Sequence, residues 1–363
     1  MSISSIPSEN FPSDRLFDWY DLHGRSLPWR RRWPDLAPAY HVWLSEIMLQ
    51  QTVVAAVVPY FLDFIRRWPT ICDLAAAPSD DVMAAWAGLG YYARARNLHR
   101  TAQLICGDLR GEFPDDVDGL RALPGIGPYT AGAISAIAFG AGSVVVDGNI
   151  ERVMARDFAI STPLPAAKME IGAHYAAIRP KIRPSDFPQA LMDFANSVCT
   201  PKSPGCDTCP LAGNCAAAAA GTPEIWPVKP PKKTKPTRRG IAFVAIDQAG
   251  RALMITRPEK GMLGGMLAFP SAGWTPSDPD FDAKAPFATA PLTADWQLAN
   301  TSVHHVFTHF VLEMKVAVAR VDSDLCAENG LQPVRVWQKV RPASLPTLMR
   351  KVWKAKKTGL GFH

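Results

Sequence analysis

Long apolar runs are missing from this chain of 363 residues. Its most apolar stretch, residues 53–62, is preceded by Glu46, Gln50, Gln51 and Thr52 and interrupted by Pro59. That predicts a buried helix and excludes a membrane span there. The first 14 residues are polar and hold no apolar h-region, so no secretory signal peptide is expected. Cysteine is scarce: seven in all, four of them clustered and Cys72, Cys106 and Cys326 scattered. Such usage excludes a disulfide framework and fits a reducing compartment with a metal site. Charged residues make up only 20% against 48% hydrophobic ones, the balance of an ordinary soluble globular protein. The net charge of +6 permits an acidic partner without demanding one. The length suffices for two or three domains, each with its own core.

What is present begins with the clustered cysteines. Cys199, Cys206, Cys209 and Cys215 form a C-x₆-C-x₂-C-x₅-C run inside 17 residues. Four thiolates this close suit tetrahedral zinc or a [4Fe–4S] cubane. Zinc usually takes two C-x₂-C knuckles and only one is present, so the spacing favours iron–sulfur. Four unrelated free thiols is the competing reading, and the clustering counts against it.

Residues 14–225 read as helical: apolar residues recur at helical spacing, Ala is abundant, and Pro/Gly pairs punctuate the segments. Residues 222–239, TPEIWPVKPPKKTKPTRR, are rich in proline and cationic residues and read as an extended interdomain linker suited to lie against phosphates. Beyond it the pattern turns to Val, Ile, Phe and Thr. Strands are expected at 241–246, 252–256, 303–319 and 334–337, a closing helix at 344–354, and a Pro/Asp/Ala loop at 272–292.

One near-repeat stands out. WAGLGYYA (86–93) and LPGIGPYT (123–130) each place Gly-hydrophobic-Gly between two helical segments: 80–86 and 93–105, then 117–123 and 130–139. Paired glycines allow a tight turn and expose N–H groups at the start of the second helix, an anion site suited to a nucleic-acid phosphate. A plain helical hairpin is the alternative. For the second copy, with Gly125 and Gly127, phosphate binding is the better reading.

Two carboxylates invite chemistry. Glu46 is the only charge between Val42 and Leu62. Among apolar neighbours its ionised form is disfavoured, which lifts its pKa toward the range of a general acid. Alternatively Ser45, Glu46, Gln50 and Gln51 form an exposed polar stripe. Asp147 follows the apolar residues 144–146 and precedes Gly148 and Asn149. It reads first as the N-cap of a helix beginning near Ile150, a place from which it also aims into a pocket. Two carboxylates in different environments suit cleavage through an oxocarbenium-like state, one protonating the leaving group and the other facing the cation. Tyr91 and Tyr92 interleave with Arg94, Arg96 and Arg100, as on a nucleic-acid surface or as packing tyrosines on a solvated helix. His304, His305 and His309 cannot easily converge on a metal if residues 303–319 are a strand; a turn at 307–309 presenting polar groups to a ligand fits better.

In combination, SEIMLQQT, GLGYYARARNLH, LPGIGPYTAG, VDGN and the cysteine spacing resemble the adenine DNA glycosylases of the MutY type, over residues 16 to about 353. The resemblance implies a multidomain chain: an all-α helix–hairpin–helix domain (11–221, hairpin 120–140) with a [4Fe–4S] loop (199–215), the basic linker, and an α+β Nudix-like domain (240–357). The glutamate-rich Nudix catalytic box is absent after GGMLAFP, so the second domain should bind and not hydrolyse. By position, Glu46 resembles the acid that protonates adenine N7, and Asp147 the carboxylate that stabilises or transiently bonds C1′. Asn149 resembles its polar neighbour, and Tyr129 the residue that closes over the reacting sugar. Arg25, Trp29, Arg30 and Asp193 fall in the adenine pocket, and Gln51 and Tyr91 where the base stack is wedged. Phe307, Thr308 and His309 match the loop that reads 8-oxoguanine. Three departures matter: Thr308 replaces Ser, Leu263 replaces a Trp that supports its loop, and WRRRWPDLAPAY is longer than usual.

The implied activity is removal of adenine mispaired with 8-oxoguanine, also guanine, in base excision repair. Double-stranded DNA is the partner, no membrane is involved, and a monomer in the cytoplasm of a bacterium, associated with the nucleoid, is expected. An endonuclease III-like lyase is the nearest rival, but it places Lys where Tyr129 stands and Thr-His where Gly148-Asn149 stand. A non-catalytic iron–sulfur DNA sensor is the rival from another class.

Overall fold

The computed structural model describes residues 11–230, 234–258, 261–276, 278–321, 335–342 and 345–356. It divides into two compact units, Met1–Pro231 and Lys232–His363.

The first unit is helical: α1 (Ser13–His23), α2 (Ala39–Leu49), α3 (Val54–Arg67), α4 (Ile71–Ala76), α5 (Ser79–Ala85) and α6 (Ala93–Gly107). There follow α7 (Val117–Arg121), α8 (Pro128–Phe139), α9 (Gly148–Asp157), α10 (Lys168–Ile178), α11 (Asp186–Ser197) and α12 (Ala216–Ala219). One core runs through it, built on Tyr20, Trp43, Phe61, Phe64, Trp86, Phe187 and Phe194. α2 and α8 are apolar on nearly every face, and each is buried along most of its length against the other. Small side chains allow this closeness. A Cβ on Gly132 of α8 would stand 2.5 Å from the Val144 carbonyl, so only glycine lets α8 pack against the segment leading to Asp147.

Both predicted hairpins form, α5–α6 and α7–α8, with boundaries within two residues of expectation. Residues 53–62 differ from expectation. α3 buries only Val57, Phe61 and Phe64, while Val53 and Leu62 face solvent, because a single stripe of this helix meets the core. Cys72 and Cys106 are paired in a disulfide rather than free. α4 packs along α6 and brings their Cα atoms to 5.3 Å, a proximity hidden by a sequence separation of 34. Cys326 lies outside the described residues. Among the described residues no helix is long and apolar enough to cross a membrane. The extended stretch at 222–239 is shorter than its composition predicts. Pro223–Ile225 form a 3₁₀ turn whose Pro223 carbonyl accepts from Arg156, and residues 237–239 already belong to a strand.

The second unit is α+β. Its strands are β1 (Thr237–Ile246), β2 (Ala252–Thr256), β3 (Leu267–Ala268), β4 (Ser271–Ala272), β5 (Gln297–Leu298), β6 (Val303–Val306), β7 (Val311–Arg320) and β8 (Arg335–Gln338), closed by α13 (Thr347–Ala355). Val334 and Ser344, at the edges of the expected strand and helix, lie outside the described residues. β1 is central: it pairs in parallel with β7 from Thr237↔Val311 to Ile246↔Arg320, and antiparallel with β2 and β4. Its alternation serves two faces. Ala242 and Val244 join the core under α13, while Ile241, Phe243 and Ala245 pack with Trp296 on the other side. Residues 303–319 form two strands, because the chain reverses at 307–310 and β6 folds back on β7.

Candidate active site

α2 carries Glu46 into the unit. Ser45 and Glu46 are both buried, and the Ser45 hydroxyl donates to the Val42 carbonyl at 2.8 Å, so the exposed polar stripe does not form. Burial pushes the Glu46 carboxyl up to about 7; a hydrogen bond with Tyr129 and the charge of Arg30 pull downward, and Asp147 adds to the rise. Burial and the same two carboxylates hold the Tyr129 hydroxyl protonated far above its ordinary range.

Asp147 caps α9 and also faces the cleft, joining both sequence readings. Its Oδ1 accepts from the Asn149 and Ile150 amides at 2.9 and 2.7 Å, and its Oδ2 from Asn149 Nδ2 at 2.8 Å. Arg152 fixes Asn149 in turn, donating to its Oδ1 at 3.2 Å. The Asp147 carboxylate thus stands at a helix N-terminus among N–H donors, where negative charge is favoured.

Glu46, Asp147, Asn149, Tyr129, Arg25, Trp29, Arg30 and Gln51 all line one cleft of about 720 Å³. Asp193 does not line it and acts from behind. Its Oδ2 accepts from the Arg25 amide at 2.8 Å and from Arg30 at 2.7 Å, and its Oδ1 from Arg25 Nε at 2.7 Å. Burial lifts the Asp193 carboxyl, but the hydrogen bonds and charge of Arg30, with those of Arg25, outweigh it and hold the group below its usual range. Trp29 stands edge-on to Phe61 at 5.1 Å. Sequence reasoning missed Gln189. It lines the cleft, its amide nitrogen donates to the Ser185 carbonyl at 2.9 Å, and its buried Oε1 has no partner. A polar residue near the start of α11, four positions before Asp193 and therefore on the same helix face, was the available signal.

Gln51 and Tyr91 are exposed and both have left-handed backbone, φ 60° and 48°. Tyr91 lies outside the cleft lining. Tyr92 is half-buried against the core, which leaves Tyr91 as the outward member of the pair. In the second hairpin Gly125 has φ 78° and Gly127 is the N-cap of α8, with open space where its Cβ would be. The Thr101 hydroxyl on α6 donates to the Pro124 carbonyl at 2.8 Å and pins that turn.

The four clustered cysteines are free and surround one apolar pocket beside Arg156 and Leu211. Arg156 donates to Cys199 Sγ at 3.3 Å and to the Thr200 carbonyl at 2.7 Å. Burial pushes Cys209 up to about 11 and raises Cys206 and Cys215 as well. Among the described residues no three His, Cys, Asp or Glu side chains converge as a single-ion site requires. The thiols enclose a shared volume instead.

In the second unit Phe307, Thr308 and His309 form the β6–β7 turn, closed by the Phe307 amide donating to the Phe310 carbonyl at 2.9 Å. Thr308 and His309 are exposed at its tip. Phe307 is not: its ring stacks between Phe310 at 4.8 Å and Trp274 at 5.9 Å, so it anchors the turn. His304 and His305 sit on opposite faces of β6, as alternation demands. The loop holding Leu263 is supported by Arg257, which donates to the Met262 carbonyl at 3.1 Å and to Asp278 at 3.1 Å, its guanidinium 4.7 Å from the Trp274 ring. The lengthened segment near Arg32 is also tied down. Arg32 lies 3.9 Å over the Tyr20 ring and donates to the Tyr20 carbonyl, and the Trp33 amide donates to Asp186.

The helical unit thus joins a glycine hairpin, through Tyr129 of α8, to a cleft with two unlike carboxyls. Residues 44–174 match the family described as HhH-GPD superfamily base excision DNA repair protein, and residues 241–355 match the NUDIX domain. A solved structure of a thermostable thymine-DNA glycosylase aligns with TM-score 0.52 and 26% identity, covering 57% of this chain and 94% of that one. The human adenine DNA glycosylase is 34% identical over 400 residues, covering 93% of this chain and 72% of that protein. Its counterpart in Mycolicibacterium smegmatis is 41% identical over 223 residues, covering 61% of this chain and 72% of that protein. The chain belongs to the adenine DNA glycosylases of the MutY type, hydrolases of the N-glycosyl bond that act in base excision repair.

Proposed function

We propose that this glycosylase removes adenine paired with 8-oxoguanine, and with guanine, using Glu46 as general acid and Asp147 as the carboxylate facing C1′. The observation that carries the reading is one cleft holding a buried carboxyl raised to about 7 and a second carboxylate held by N–H donors. The target adenine must leave the stack to reach them, at about a few kcal/mol. Near neutral pH Glu46 keeps its proton in a large fraction of molecules and delivers it to N7, so that the base departs neutral. Asp147 then faces the oxocarbenium sugar and stabilises or transiently bonds it. Tyr129, bonded to Glu46, orients the acid and covers the sugar.

Trp29, together with Arg25 and Arg30 set by Asp193, forms the walls for the purine. The free Oε1 of Gln189 is an acceptor suited to the exocyclic amine of adenine. Gln51 and Tyr91 project where the base stack would be wedged, and the N–H groups at Gly125–Gly127 suit a backbone phosphate. Thr308 and His309, held out on the Phe307 anchor, read the opposite base. The domains are assigned as 11–221 for excision, 222–239 for linkage and 240–357 for inspection.

The donor set at residues 199–215 fits a [4Fe–4S] cluster: four free thiols around one apolar pocket, each able to bind a different iron. When bound, the cluster would order this loop and with it the basic side chain of Lys202. Cys199, Cys206, Cys209 and Cys215 would hold it, with Arg156 donating to Cys199.

An excision assay on duplexes with a single A·8-oxoguanine, A·G or A·T pair tests the whole. Alkali-labile product from the first two and none from the third is expected. No product from any of them, or a borohydride-trapped Schiff base in stoichiometric yield, would overturn it.

A further inference from the structure

Gln51 and Tyr91 belong to different loops, one after α2 and one before α6, and both are exposed residues in the left-handed backbone region. Each such residue carries about 1 kcal/mol of backbone strain and persists only where its surroundings over-determine it. A single side chain does this for both. Arg94 Nη1 donates to the last-turn carbonyls of α2, Ile47 at 3.0 Å and Met48 at 2.9 Å. Its Nη2 donates to Thr52 Oγ1 at 3.2 Å, next to Gln51, and to the Leu89 and Gly90 carbonyls at 3.0 and 3.3 Å, just before Tyr91. The guanidinium also lies 5.6 Å from the Tyr91 ring centroid and 5.2 Å from that of Trp86. Among the described residues no carboxylate ion-pairs with Arg94; four carbonyls, the Thr52 hydroxyl and the two aromatic rings hold it.

From this geometry we infer that Arg94 is a positioning residue that welds the Gln51 and Tyr91 loops into one rigid two-pronged wedge, fixed in register with the helix bearing Glu46. The inference rests on the wedge role proposed above for those two residues. A prong that must be ordered as it enters the duplex loses side-chain and backbone freedom at that moment, whereas a pre-ordered pair does not. The planar fork of Arg is what spans both loops; a lysine ammonium serves one side only.

The test compares Arg94→Met and Arg94→Lys with the natural protein in single-turnover excision on two substrates: adenine paired with 8-oxoguanine in an intact duplex, and adenine in a single-base bulge, which needs little wedging. The expected result is at least a tenfold loss on the paired duplex for both variants, less than a twofold loss on the bulge, and a matching loss of the fluorescence rise of 2-aminopurine at the target position. Retained activity on the bulge shows that the variants are folded. Equal losses on both substrates would make Arg94 a simple fold residue and overturn the inference, as would wild-type rates on both. Gln51→Ala and Tyr91→Ala are measured alongside. If these leave paired-duplex excision intact, the wedge reading fails and this inference with it, while excision by the natural protein still stands.

Discussion

Replacing Glu46 by Gln separates the chemical role of the carboxyl from its thermodynamic effect. The group titrates at about 7 against an ordinary 4.5. That difference corresponds to about 3 kcal/mol of destabilisation once the carboxylate is forced to ionise in the folded chain. The sign follows from proton uptake. Below pH 4.5 the carboxyl is protonated both folded and unfolded, and it has no effect. Between there and about 7 the unfolded chain ionises while the folded chain keeps its proton, so stability falls as pH rises; above about 7 the penalty is complete. Glu46→Gln removes the penalty, and the amide oxygen still accepts from Tyr129. The variant should therefore melt roughly 6–12 °C above the natural protein at pH 8.5, with the gap closing toward pH 4.5. Its single-turnover excision should fall by about 10²–10⁴-fold, and excision by the natural protein should decline through pH 7. Melting curves across that pH range, paired with quenched-flow excision, measure both. A melting difference that does not vary with pH, or full activity in the variant, would refute the buried-acid argument.

Asp147→Asn keeps an acceptor for the α9 amides, so stability should change by no more than about 1 kcal/mol while excision falls at least 10³-fold in the same assay. Asp193→Asn should destabilise the protein by about 3 kcal/mol in urea unfolding, since Arg25 and Arg30 lose their counter-charge. Because the Asp193 carboxyl is held low, its contribution is present above the ordinary aspartate range and lost as pH falls, so that gap should shrink toward pH 3. Thr308→Ala should lower the preference for A·8-oxoguanine over A·G by about tenfold, the value of one hydrogen bond, with an unchanged melting temperature; Thr308→Ser should keep the preference within about twofold. Cys206→Ser should reduce iron content from about four per chain and weaken DNA binding measured by anisotropy, as should chelation of the natural protein.

Local pattern alone determined much of this protein. The glycine hairpins, the cap at Asp147, the cysteine spacing and the alternation of β1 depend on neighbours a few residues away, and their physics is written in adjacent side chains. Glu46 was legible as a charge alone among apolar residues, but its pattern also allowed an exposed stripe. Only the packing of α2 against α8 decided between them. The same holds where partners are distant in sequence: Asp193 behind Arg25 and Arg30, Cys72 beside Cys106, Phe307 inside an aromatic stack, and Arg94 joining two loops. Burial and long-range pairing are properties of the assembled core. Desolvation, which raises the Glu46 carboxyl, exists only once the chain has closed around it.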